Sequence, residues 1–112
     1  MLLGPNSLVS GVLVNTDGVS TQVIAAPGDG NKLFITEIHI ANSSAGFVTV
    51  DIRDGVGGTV LWTVGVPASG STTVQFRNAL GGFSNNTGIF ADPSAATTTL
   101  TISINGFNRK TT

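Results

Sequence analysis

The chain has 112 residues, the size of one ordinary domain and too short for two. Only 10% of residues are charged, and five Lys and Arg against six Asp and Glu leave a formal net charge of −1. That balance argues against direct nucleic-acid binding, because no positive surplus exists to displace counterions from a phosphate backbone. The absence of cysteine excludes a disulfide framework, a thiolate zinc site and a cysteine nucleophile. No apolar run approaches the ~20 residues needed to cross a bilayer, so no membrane partner is expected. Weak self-repulsion in so lightly charged a chain favours association with other subunits.

At the amino terminus, Met1, Leu2 and Leu3 lack a basic flank, and Gly4-Pro5-Asn6-Ser7 interrupts the apolar stretch before a signal sequence can form. Residues 1–7 therefore read as an N-terminal arm, and residues 8–112 as a single domain. Weak strand signals follow at 8–14 and 21–26. A longer run at 33–40 starts apolar on both faces before Glu37 and His39 mark one side as polar. The run at 47–53 alternates strictly, with Val48, Val50 and Ile52 against Thr49, Asp51 and Arg53. At 59–66, Val60, Trp62, Val64 and Val66 fall in phase, and at 72–76 Val74 and Phe76 oppose Thr73 and Gln75. A short run at 89–91 precedes the clearest one, 97–105, where Leu100, Ile102 and Ile104 alternate with Thr99, Thr101 and Ser103. Period-two alternation in β-favouring residues is the mark of strands with one buried face. Turn-forming clusters rich in Gly, Pro, Asn, Asp and Ser separate the runs. The expected fold is an all-β, jelly-roll-like antiparallel sandwich of about eight short strands. Its one long connection is 78–88, and loops of that length are usually functional or packed on something.

Catalytic chemistry is hard to place. His39, the single histidine, shares a strand face with Glu37, but acid–base work would also need a third group and a pocket. Asp17, Asp29, Asp54 and Asp92 stand beside Gly or Pro in turn sequences, where side-chain-to-backbone hydrogen bonding explains them. The segment 51–55 lacks the later ligands of a calcium loop, and the glycines at 55–58 precede a strand rather than the helix a phosphate loop requires. The expectation is no enzyme, no cofactor and no metal. Trp62, in phase with three valines, reads as core or subunit contact rather than a sugar platform. The informative surface is apolar. Leu80 and Phe83 in the long connection, with Phe90 just after it, either tuck under the sandwich as a lid or face a partner. Met1, Leu2, Leu3 and Leu8 pose the same question at the other end, and these seven residues are the candidate capsid or subunit contacts.

The order of patterns from Val23 to Phe107 carries a family resemblance. It runs V-I-A-A-P-G-D-G-N-K-L-F-I-T-E-I-H-I-A-N, then A-G-F-V-T-V-D-I-R-D-G-V-G-G-T-V-L, V-P-A-S-G-S-T-T-V-Q-F, L-G-G-F and A-A-T-T-T-L-T-I-S-I-N-G. This resembles small jelly-roll-like structural proteins of tailed bacteriophages, of the capsid decoration or cement type. The resemblance implies a virion protein on the capsid surface, made in the host bacterial cytoplasm. Its implied partners are the major capsid protein and further copies of itself, as a homotrimer. The alternative is a carbohydrate-binding or head module of a phage tail or fibre protein.

Overall fold

A computed structural model of the chain describes residues 6–96 and 99–110. It is all-β, with eight strands: β1 (Asn6–Asn15), β2 (Thr21–Ile24), β3 (Asn31–Asn42), β4 (Val48–Asp54), β5 (Val60–Val66), β6 (Gly70–Leu80), β7 (Ile89–Pro93) and β8 (Leu100–Lys110). They form two antiparallel four-stranded sheets, β1-β8-β3-β6 (sheet A) and β2-β7-β4-β5 (sheet B). Successive strands cross between the sheets, except that β4 and β5 form a hairpin within sheet B, and this is the jelly-roll winding expected for the chain. Each expected run overlaps a strand, but Ala25 and Ala26, Phe47, Thr59 and Thr99 at their ends fall outside, and residues 97–98 lie outside the described residues. Two strands outgrow their runs: β6 continues through Asn78, Ala79 and Leu80, and β8 runs on past Asn105 to Lys110. The long connection is thereby shortened to 81–88. At the amino end, Asn6 and Ser7 pair with Arg109 and Asn108, so β1 begins two residues inside the segment read as an arm.

The alternating residues meet between the sheets. Leu33, Ile35, Ile38 and Ile40 of β3 and Leu100, Ile102 and Ile104 of β8 face Val48, Val50 and Ile52 of β4, Val64 and Val66 of β5, and Ile89 and Ala91 of β7. All are buried, and each large side chain stabilises the fold by about 1.5–3 kcal/mol relative to exposure. Two glycines permit backbones to approach where a side chain could not fit. A Cβ on Gly106 would overlap the carbonyl oxygen of Phe34, and one on Gly11 would overlap that of Val23. Gly106 lies opposite the register shift in β3 between Ile35 and Glu37, and Gly11 brings β2 against the inner face of β1.

A second register shift corrects the phase expected for β5. Val64 pairs with Val50 and Trp62 with Ile52, but Val60 pairs with Arg53, leaving Leu61 as the extra residue. Leu61 packs against the core and Val60 turns outward. Trp62 remains 41% exposed at the edge of sheet B, with its ring edge-on to Phe76 at 5.0 Å. Phe76 belongs to β6, the facing edge of sheet A, so this aromatic pair closes one side of the sandwich.

Candidate interaction surfaces

Polar side chains organise the two ends of the sandwich and bind within the chain. At one end two buried asparagines hold the turns. Asn15 Nδ2 donates to the Val19 carbonyl at 2.9 Å, while its Oδ1 accepts from the Gly18 N–H. Asn42 Nδ2 donates to the carbonyls of Gly46 and Pro67, and its Oδ1 accepts from the Ser44 N–H. At the other end the 81–88 connection is stitched down. The Gly28 and Gly30 N–H groups donate to Asn86 Oδ1 and Asn85 Oδ1, each at 2.8 Å. Asn85 Nδ2 donates to Asp29 Oδ1 at 2.8 Å, and Ser84 donates both its N–H and its hydroxyl to the Asp54 carboxylate. Asn86 adopts φ +50°, a left-handed conformation that asparagine tolerates better than most residues. Of the four aspartates expected in turns, Asp17 makes the side-chain-to-backbone bond, accepting from the Val19 N–H, and Asp29 lies in a turn but accepts from a side chain. Asp54 instead ends β4 and Asp92 lies in β7, because strand pairing extends over both.

The candidate acid–base pair is similarly engaged. His39 Nδ1 lies 2.6 Å from Thr73 Oγ1, and Glu37 accepts from Gln75 Nε2 at 2.9 Å. Both side chains lie on the outer face of sheet A. On sheet B, Arg53 Nε donates to Asp92 Oδ2 at 3.0 Å, and its guanidinium also reaches the Gly58 carbonyl and Asp51. Thr63 donates to Asp51 at 2.7 Å. Among the described residues no group of three or more His, Cys, Asp or Glu is placed to hold a metal ion. A depression of about 500 Å³ on sheet A is lined by Ala41, Asn42, Ser43, Ser69, Gly70, Ser71, Thr99 and Thr101. It holds hydroxyls and amides without a charged group, so it offers neutral hydrogen bonding and no nucleophile activated by a base.

Charge separates by sheet. Lys32, Arg77, Arg109 and Lys110 all stand on strands of sheet A, with Glu37 as the acidic residue there. Asp51, Asp54 and Asp92 stand on sheet B with Arg53. The strands of the two sheets therefore differ in the sign of their charge although the whole chain is nearly neutral, a pattern that orients encounters with charged surfaces.

The apolar candidates fall into three groups. Phe83 is only 2% exposed and packs in the core, and Leu80 is partly buried against it. These two fill the end of the sandwich, as the lid alternative has it, and a partner could not reach Phe83 in this conformation. Phe90 is half-buried on the outer face of β7, opposite Arg53. Met1, Leu2 and Leu3 lie outside the described residues. Leu8 is 92% exposed on the outer face of β1, opposite Phe107. Phe107 stacks on Phe34 with ring centroids 5.1 Å apart, and the Arg109 guanidinium lies 5.0 Å from the centre of the Phe34 ring. Beside this cluster a groove of about 330 Å³ runs between Leu8, Ser10, Thr36 and Asn105.

Two further apolar residues escaped notice in the sequence. Val12 is 71% and Val14 59% exposed, in line with Leu8 along β1. The available signal was that β1 is apolar on both faces, with Val9 and Leu13 turned inward and Leu8, Val12 and Val14 outward. A strand apolar on both sides is the pattern of one covered on both sides.

No protein-family model matches the chain, and no curated protein matches it in sequence. Solved structures do match its fold. A chain of the acidic stable capsid of Helicobacter pylori bacteriophage KHP30 superposes with a TM-score of 0.58 at 11% identity, over 95% of this chain and 90% of that one. A chain from the cyanophage Pam1 capsid asymmetric unit gives 0.53 at 10% identity, over 96% and 92%. A chain of the Bacillus endospore appendages, a family of disulfide-linked pili, gives 0.55 at 16% identity, over 97% and 93%. At such identities the likeness is one of fold: this chain is a jelly-roll sandwich of the kind seen in capsid proteins and pili.

Proposed function

We propose that this chain is a non-enzymatic structural protein of a virion, and in its finer form a capsid decoration protein of a tailed bacteriophage. It would bind the outside of the phage head and bridge subunits of the major capsid protein, having been made in the host bacterial cytoplasm. The observation that carries the reading is where unsatisfied chemistry remains. Acid–base groups are engaged by neighbours on flat faces, whereas large apolar side chains are left exposed, in a row on the outer strand β1 and singly at Val19, Phe47 and Val56. That distribution suits a chain whose work is to touch other proteins over broad, shallow areas. Contacts repeated around a shell would act at high effective concentration, so each need not be strong. Self-association as a homotrimer belongs to the same reading.

Leu8, Phe90 and the segment Met1-Leu2-Leu3 are the proposed contacts. The carbohydrate-binding alternative has Trp62 in its favour, since that residue is partly exposed. Its edge-on contact with Phe76 gives it a structural role that a sugar platform would not need. The test is a pelleting titration against phage heads lacking the protein, with the full chain and with a form lacking residues 1–5. Saturable binding by the full chain, weakened by the deletion at unchanged melting temperature, is the expected result. Retention on cell-surface polysaccharide with no binding to heads would replace this reading with the fibre-module one.

A further inference from the structure

The four sheet edges of the sandwich are not equally protected. In sheet B, β2 is only four residues long and contains a register shift, and β5 ends against Pro67. In sheet A, β6 carries Arg77 on its outer face, and its Phe76 contacts Trp62 of β5. Short strands, bulges, prolines, charges and covering contacts are the devices by which edges avoid pairing. The remaining edge, β1, is long and carries no charge, proline or register shift; β2 lies against its inner side at Gly11 and leaves its outer face uncovered. It runs ten residues, N-S-L-V-S-G-V-L-V-N, without a charge or a proline, and forms the end of its sheet. Its outer face carries Leu8, Val12 and Val14, all largely exposed.

We propose that β1 pairs with β1 of a second copy of this chain, antiparallel about a two-fold axis, joining two A sheets into one continuous sheet. An antiparallel strand can pair with its own copy, because a two-fold axis maps each residue contact onto itself. The absence of charge matters for the choice of partner: two identical charged edges would repel, whereas two identical neutral ones meet without penalty. Centring the axis on Gly11 sets Leu8 opposite Val14 and Val12 opposite Ser10, so every outward apolar residue meets the outward face of its partner. The same register sets Val9 opposite Leu13 on the inner face. The contact goes beyond the virion reading and needs only that copies meet, so binding to phage heads could fail or succeed independently of it.

Sedimentation of the full chain against Val12→Lys tests the contact. Lysine at this exposed position leaves the monomer fold intact but brings two charges beside the axis. The expected result is a wild-type assembly of twice the mass of the variant, whether that is two chains against one or six against three. Equal masses would overturn the proposal, including the case in which residues elsewhere hold the copies together. The register has its own check, since the chain lacks cysteine. The double variant Leu8→Cys, Val14→Cys should oxidise to a cross-linked two-chain species, and neither single variant should do so. Cross-linking by the single variants to the same extent, or none by the double variant, would overturn the pairing.

Discussion

Two apolar segments that look alike in the sequence have opposite fates. The 81–88 connection turns Phe83 into the core and anchors its backbone through Ser84, Asn85 and Asn86. Strand β1 keeps three large apolar side chains in solvent, though it is hydrogen-bonded along its whole length to β8. The difference lies in what surrounds each segment. The end of a sandwich is an opening that an irregular loop can fill, with flanking carboxylate and amide groups to satisfy its backbone. The outer face of a sheet has no such opening, so an apolar residue there stays exposed until another chain covers it. Hydrophobicity alone therefore says that a segment seeks burial, and topology says whether its own chain provides it.

The sharpest scale for this contrast comes from the core strand beside β1. Ile102→Asp should unfold the domain, because it sets an unpaired carboxylate in the fully buried face of β8, at a loss of several kcal/mol. Thr101→Asp, on the opposite face of the same strand, should lose far less. Equal melting temperatures for the two would break the register on which the comparison rests.

Phe83→Ala should come next, with a loss of about 3–5 kcal/mol in chemical denaturation, as for other buried aromatic truncations. A loss below about 1 kcal/mol would mean that the connection lies on the surface with β1 rather than in the core.

The anchors should matter less. Asn85→Ala removes the acceptor for the Gly30 N–H and the donor to Asp29, in an exposed setting where water can replace them. A loss of about 0.5–1.5 kcal/mol is expected, with faster hydrogen exchange at Gly30 as the local readout.

Smallest of all should be Leu8→Ala, within about 0.5 kcal/mol for unfolding of the dissociated chain, since its side chain is almost wholly exposed. Its effect should instead appear in the concentration dependence of the melting temperature, which the wild type shows more strongly. An unfolding loss for Leu8→Ala as large as that for Phe83→Ala would erase the distinction between the two segments.

Alternation in the sequence was enough to establish an all-β chain and to locate the heart of each strand. Val48, Val50 and Ile52, like Leu100, Ile102 and Ile104, can face one core only in extended backbone, so those assignments depend on nothing distant. The glycine- and asparagine-rich breaks likewise located the turns. What escaped the sequence depended on partners far along the chain. The phase of Val60 reversed because Leu61 is extra with respect to Ile52 and Arg53, and a register shift exists only in a pair. Strand β8 continued through Gly106 because that glycine meets the Phe34 backbone across the sheet, a reason invisible within β8 itself. Phe83 and Leu8 are separated by the same physics. Local pattern encodes backbone state and the wish of a side chain to leave water, whereas burial is a relation among strands that only the folded sheets bring together.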